Sequence, residues 1–112
     1  MPLKQPTTVF GRRLRDARKR ANIPQDRLGV LLGLDEGTAS TRISRYETGA
    51  HEPQFGVAMQ LAEVLEVPAA YFYCEDDDLA NVVFSWERLS KAERRHIKTL
   101  VDAKLPTKPR KA

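Results

Sequence analysis

The chain has 112 residues, a length that fits one domain with short appendages and a single modest core. Hydrophobic residues make up 41% and charged residues 30%, a balance typical of globular proteins rather than disordered or membrane-embedded ones. No apolar run has the length of a membrane span or a signal peptide, and the lone Cys74 cannot form an internal disulfide. We therefore expect a cytoplasmic protein.

The net charge of +4 is distributed unevenly along the chain. Residues 1–24 and 79–112 each carry +6, whereas residues 25–72 carry −4 and residues 73–78 a further −4. Two basic ends around an acidic middle indicate contact with a polyanion at defined places.

Apolar spacing predicts five short helices before residue 73. After a flexible arm over residues 1–8, apolar residues recur at helical steps over residues 9–21, and Asn22 is a suitable stop. A second helix begins at Pro24 and ends at Gly33, with a predicted buried stripe of Leu28, Leu31 and Leu32.

The next three predicted helices complete the core. The third buries Ala39, Ile43 and Tyr46 and is closed by Gly49. The fourth is predicted to bury Phe55, Ala58, Leu61, Ala62 and Leu65, and Pro68 starts a fifth with Tyr71 and Phe72 inside. No stretch alternates with period two over a useful length, so the predicted fold class is all-α.

The segment from Leu14 to Phe72 resembles the helix-turn-helix domain of the phage repressor and Cro family, also called the XRE family. The resemblance is carried by the runs 25–29 (QDRLG), 33–34 (GL), 43–49 (ISRYETG) and 61–65 (LAEVL). It implies a five-helix, lambda-repressor-like domain that binds double-stranded DNA. Two helices that cross this closely need a small residue between them, and Gly29 supplies it.

The turn region departs from the family pattern. Gly33 and Ile43 are ten positions apart, four more than usual, so Asp35-Glu36-Gly37-Thr38 is interpreted as an insertion. Four residues are close to one helical turn of about 3.6. The recognition helix therefore begins near Asp35 with that residue as N-cap, or it begins near Thr38 after a longer loop.

Candidate DNA contacts follow from the motif, in which the second helix enters the major groove. Arg42 and Arg45 are the strongest candidates for base readout, because arginine pairs bidentately with guanine. Protonated His51 is a weaker candidate for phosphate. The full predicted DNA-binding set is Arg13, Gln25, Ser40, Thr41, Arg42, Ser44, Arg45 and Thr48, with Arg12 and Arg15 as further phosphate candidates. The alternative for each is a solvated helix face.

The sequence shows no pattern typical of a metal site, a cofactor site or a catalytic centre. His51, Cys74 and His96 lack zinc-site spacing, and there is no phosphate-binding glycine loop or nucleophile elbow, so we predict no metal, no cofactor and no enzyme activity. Asp76-Asp77-Asp78 is interpreted as the negative start of a helix near Leu79 rather than a cation site.

The last forty residues form an appended unit. Leu79, Val82, Val83 and Trp86 make one apolar cluster, with Phe84 on another side. Ser90 to Glu93 is a capping box that starts a helix whose stripe is Ile97, Leu100, Val101 and Leu105. These stripes either pack on the core or pair across a two-fold axis. The predicted organisation is an arm (1–8), a DNA-binding domain (9–73), an acidic linker (74–78), a possible dimerisation extension (79–105) and a basic tail (106–112).

The predicted function is a sequence-specific transcription regulator, most simply a repressor that binds a palindromic operator as a homodimer. No segment remains for a ligand-sensing domain, so we expect no small-molecule effector and no membrane partner. The alternative is a protein-interaction module, such as an antitoxin or a coactivator, which the acidic balance of residues 25–72 would suit better.

Overall fold

The computed structural model describes residues 5–105, and this part of the chain is all-α and contains no strand. Its helices are α1 (Val9–Arg20), α2 (Gln25–Leu31), α3 (Glu36–Thr48), α4 (Phe55–Leu65), a short 3₁₀ helix (Ala69–Tyr73), α5 (Asp77–Trp86) and α6 (Lys91–Asp102). None of these helices is long and apolar enough to cross a membrane. The basic tail predicted over 106–112 lies outside the described residues.

Local signals set the ends of α1. The Thr8 hydroxyl accepts a hydrogen bond from the Gly11 amide at 2.9 Å and caps the first turn. Asn22 adopts φ +56° just beyond the last turn, which confirms it as the stop. The arm was expected to be flexible, but Thr7 is held as well, because its hydroxyl donates to the Thr48 carbonyl at 2.7 Å. Residues 1–4 of the arm lie outside the described residues.

The tight turn between α2 and α3 depends on two glycines. Gly33 has φ +90°, a conformation that glycine adopts without strain. At Gly29 the two helices touch: a Cβ placed there would lie 2.5 Å from the Ala39 Cβ. The predicted role of Gly29 is therefore confirmed.

The inserted residues add one turn to α3, as the first of the two alternatives predicted. The helix starts at Glu36 with Asp35 as the N-cap residue, although the Asp35 side chain makes no capping hydrogen bond. Ala39 and Ile43 are completely buried, and Arg42 is exposed. This register keeps the arginine out of the core, where its charge would be costly to desolvate.

Two predicted core residues are wrong. Leu31 is 43% exposed and Phe55 is 70% exposed. Each lies at an end of its helix and is directed away from the core. Leu28 and the partly buried Leu32 take the core side of α2, and Val57 and Ala58 begin the core side of α4.

Aromatic side chains from the 3₁₀ helix fill the centre of the core. Phe72 is completely buried against Phe10, with ring centroids 4.9 Å apart, and Tyr71 packs edge-on against Phe84 at 5.4 Å. Burial raises the pKa of the Tyr71 phenol. Phe84 thereby joins α5 to the domain.

The orientation of α5 differs from the prediction. The helix starts at Asp77, with the Asp76 carboxylate accepting from the Leu79 amide at 2.8 Å, so the acidic run does form a helix start. Ala80 and Phe84 face the core, whereas Leu79 and Val82 are about half exposed. Phe84 packs on the Tyr71 ring, and Val83 is the member of the predicted cluster that is partly buried against the core.

The capping box of α6 is confirmed. The Ser90 hydroxyl accepts from the Glu93 amide at 3.1 Å, and the Glu93 carboxylate accepts from the Ser90 amide at 2.8 Å. No residue of α6 is buried, and its apolar stripe is left open, with Leu100, Val101 and Leu105 each more than half exposed.

Candidate nucleic-acid interface

The outer face of α3 is polar and accessible along its whole length. Its inner face is anchored by Ala39, Ile43 and Tyr46, all buried. Because helical residues three or four apart share a face, the other side is left to short polar and basic groups. Of the predicted contacts, four are exposed and two are half-buried: Ser40, Thr41, Arg42 and Arg45, then Ser44 and Thr48.

Arg42 and Arg45 line one groove of about 440 Å³ at the carboxyl-terminal half of α3. His51 and Gln54 from the loop before α4 line it too, as does Glu52. Within residues 5–105, neither arginine has a carboxylate within 4.0 Å, so both guanidinium groups keep their donors for another partner. Sequence reasoning missed Gln54; its position just before α4 is the only sequence signal.

Gln25 is held at the junction of α2 and α3. Its side-chain amide donates to the Glu47 carboxylate at 3.2 Å, and its carbonyl oxygen accepts from the Ser40 hydroxyl at 3.3 Å. The amide still has a second N–H. Two predicted DNA-binding residues, Gln25 and Ser40, are therefore brought together at one edge of α3.

Glu47 is the buried centre of this arrangement, with no exposed surface. Its carboxylate accepts hydrogen bonds from the Arg15 Nε and the Arg18 Nη2, each at 3.1 Å, and from the Arg18 Nε. This ion-pair cluster joins α1 to the recognition helix. The sequence motif placed Glu47 at a helix end and did not show that arginines of α1 surround it.

The cluster also changes the interpretation of two α1 arginines. Arg15 was a phosphate candidate, but it is buried against Glu47. Arg13, a predicted DNA-binding residue, is only 4% exposed and does not fit that role. It donates to the Cys74 carbonyl at 2.8 Å, the Glu75 carbonyl at 2.9 Å and the Asp77 carboxylate at 2.9 Å. Those acceptors compensate its burial and fix the start of α5 against α1.

Thr48 lies where α3 meets the amino-terminal segment. Its hydroxyl donates weakly to the Arg45 carbonyl at 3.4 Å, and Thr7 binds its carbonyl. The next residue, Gly49, has φ +86°, and a Cβ there would lie 2.5 Å from the Thr7 hydroxyl oxygen. The end of the helix is thus rigidly packed.

No group of three or more potential metal ligands occurs among residues 5–105. Glu47 and His51 are four positions apart, a spacing that could suit a pair of metal ligands on one helix, but Gly49 ends α3 between them. The Glu47 carboxylate forms ion pairs with Arg15 and Arg18 of α1.

Residues 9–71, more than half of the chain, match the family model described as a helix-turn-helix domain. The chain belongs to this helix-turn-helix family. It is also similar to the transcriptional regulator BswR in its crystal structure, with 39% sequence identity and a TM-score of 0.79, covering 83% of this chain and 92% of that one. Comparison with functionally curated proteins gives no significant match.

The two similarities cover different lengths of the chain. The helix-turn-helix family model starts at α1 and ends inside the 3₁₀ helix, so α5 and α6 lie beyond it. The similarity to BswR covers 83% of the chain, more than residues 1–71 can supply, and so it includes part of the carboxyl-terminal extension.

Proposed function

We propose that the protein is a sequence-specific DNA-binding transcriptional regulator that acts as a repressor, without a catalytic step. The observation that carries this proposal is the exposed outer face of α3, on which Arg42 and Arg45 share a groove and pair with no carboxylate of residues 5–105. In helix-turn-helix proteins the second helix of the motif enters the major groove, where an arginine can bind guanine bidentately. The similarity to BswR, itself a transcriptional regulator, supports this function.

The acidic balance of the central segment does not oppose DNA binding as strongly as the sequence suggested. Glu47 is buried and neutralised by two arginines of α1. The groove itself is lined by one acid, Glu52, and by the guanidinium groups of Arg42 and Arg45. This favours DNA over a protein partner for the α3 face.

The proposed regulator is a homodimer in which a second copy covers the extension. α6 has 12 residues and buries none of them, and an isolated helix of that length is marginal in water. Its stripe continues into a groove lined by the apolar residues Leu89, Ala92 and Ile97 together with Glu93 and His96. A two-fold dimer pairs the same surface patch of both copies, so two open apolar stripes would cover each other, and the symmetry would match a palindrome with half-sites about one helical turn apart.

Selection from a randomised DNA pool tests the DNA-binding part. We expect a palindromic site to be enriched, with affinity that falls steeply with salt as counterions are released. Arg42→Ala and Arg45→Ala should each weaken operator binding by about 1–3 kcal/mol and relax base preference. Equal losses on the operator and on random DNA would contradict base readout.

Sedimentation velocity tests the dimer. Leu100→Glu should shift the protein to a monomer, because it puts a charge into the proposed interface. Thr99→Glu is the matched control on the polar side of α6, where the hydroxyl donates to the Arg95 carbonyl. A Leu100→Glu protein that sediments as wild type would rule out this interface.

A further inference from the structure

A chain of hydrogen bonds runs from the buried Glu47 carboxylate to the exposed hydroxyl of Ser40. Gln25 is its middle member: the side-chain nitrogen donates to Glu47 at 3.2 Å, and the side-chain oxygen accepts from Ser40 at 3.3 Å. Glu47 has no exposed surface, Gln25 is half-buried and Ser40 is exposed. The chain therefore leads from the core to the surface of α3.

The charge of Glu47 fixes the direction of each hydrogen bond in this chain. Its carboxylate forms ion pairs with Arg15 and Arg18, and an ionised carboxylate can only accept hydrogen bonds. Gln25 must therefore turn its amide nitrogen toward Glu47, which leaves the amide oxygen, an acceptor, facing Ser40. A serine hydroxyl has a single hydrogen, and here it is used in the bond to Gln25. Toward solvent, Ser40 presents only lone pairs.

Ser40 lies where a recognition helix contacts bases. In helix-turn-helix proteins the amino-terminal residues of the second helix contact base edges, while the first helix crosses the DNA backbone. Ser40 is in the amino-terminal half of α3, and its partner Gln25 is the first residue of α2. Ser40 and the next residue, Thr41, are both exposed, whereas Ala39 and Ile43 are completely buried. The Ser40 oxygen is therefore on the accessible side of α3, at the edge nearest α2.

We propose that Ser40 is a specificity-determining residue that accepts a hydrogen bond from the exocyclic amine of adenine or cytosine in the operator. In the major groove adenine and cytosine carry the amines N6 and N4, whereas guanine and thymine offer no donor there. A hydroxyl whose hydrogen is held by Gln25 accepts from an amine, but it donates to guanine or thymine only if the bond to Gln25 breaks. Gln25 acts through Ser40 and is a positioning residue for this contact.

The inference rests on the proposed function and is tested on the operator selected by the wild-type protein. Each half-site position is replaced in turn by the other three bases, and affinities are measured by fluorescence anisotropy. Ser40→Ala removes the hydroxyl. Gln25→Met removes the oxygen that accepts from Ser40, and Gln25→Arg replaces it with donors, since a guanidinium has no acceptor. Thr41→Val is the matched control, because it removes a hydroxyl from the adjacent exposed residue of α3.

We expect the wild-type protein to prefer adenine or cytosine to guanine or thymine by about three- to tenfold at one position, the range for a single hydrogen bond. Ser40→Ala should abolish this preference. Gln25→Met should relax it, because the freed hydroxyl can donate as well as accept. Gln25→Arg should shift it toward guanine or thymine, because a donor facing Ser40 turns the hydroxyl hydrogen toward the DNA. Thr41→Val should leave the preference at this position unchanged.

Three results would overturn the inference. If Ser40→Ala keeps the wild-type base preference at every position, Ser40 reads no base. If either Gln25 variant leaves the Ser40-dependent preference unchanged, Gln25 does not set the direction of the hydrogen bond. If Thr41→Val abolishes the same preference, the effect does not belong to the Ser40 hydroxyl. In each case selection of an operator through Arg42 and Arg45 persists and the proposed function stands. Failure of the wild-type protein to select any sequence would instead refute the proposed function, and this inference with it.

Discussion

Glu47→Gln is the substitution for which the structure makes the sharpest stability prediction. It keeps the shape of the side chain but removes the negative charge that Arg15 and Arg18 both bind, and the side chains of both arginines are 9% exposed. Breaking a buried ion pair by removing one partner typically costs about 3–5 kcal/mol, because the remaining charge is left uncompensated. Domains of this size are stable by about 5–15 kcal/mol, so a large part of the stability would be lost.

Urea unfolding followed by circular dichroism measures this loss. Glu52→Gln is the control, because it removes the same charge from an exposed site next to the α3 helix end. We expect its free energy of unfolding to stay within about 0.5 kcal/mol of wild type. A Glu47→Gln protein that is as stable as the Glu52→Gln protein would refute the argument that the cluster holds α1 to α3.

Two further predictions concern the turn and α6. Gly29→Ala should destabilise the protein by about 1–3 kcal/mol, because the added methyl group would overlap Ala39. Gly37→Ala should stabilise α3 by up to about 1 kcal/mol, because the space around Gly37 is open and alanine favours the helix. Thermal unfolding of both variants measures the two effects. The hydrogen bond that the Ser90 backbone amide donates to the Glu93 carboxylate and, to a smaller extent, the Ser90 hydroxyl hold the pKa of Glu93 below its ordinary value. The Glu93 contribution to stability is therefore present above the unfolded-state pKa and lost as the pH falls through the lower folded-state pKa. A Glu93 pKa in the folded protein, measured by NMR titration, that is no lower than in the urea-unfolded protein would contradict this assignment.

The predicted helices were found where local chemistry specifies them. Asn22, Gly33 and Gly49 end three helices because each adopts a positive φ, and Ser90 starts α6 by capping it. The insertion was also predictable, because without it Arg42 would take a buried place, but the sequence left open whether the added residues lengthen α3 or the loop before it. Such features depend on a few neighbouring residues and need no knowledge of the rest of the chain.

The candidate site was only partly predictable, because part of it depends on contacts between residues that are far apart in the sequence. The α3 face follows from the motif, and its predicted residues are accessible. The arginines of α1 carry the same charge and are closely spaced on one helix. The local sequence therefore does not show which of them are solvent-exposed and which pair with a carboxylate. Arg13 and Arg15 were consequently assigned to phosphates, although both are buried.

By itself, the sequence determined the all-α class, the helix ends, the turn and the basic outer face of α3, because these depend on backbone preferences and on the spacing of apolar residues. Only the tertiary structure decided that Glu47 is the acid that Arg15 and Arg18 surround, and that α5 turns Phe84 inward. Contacts between residues about thirty positions apart are set by how the helices pack, since a charge or a ring takes its partner from whichever helix lies opposite.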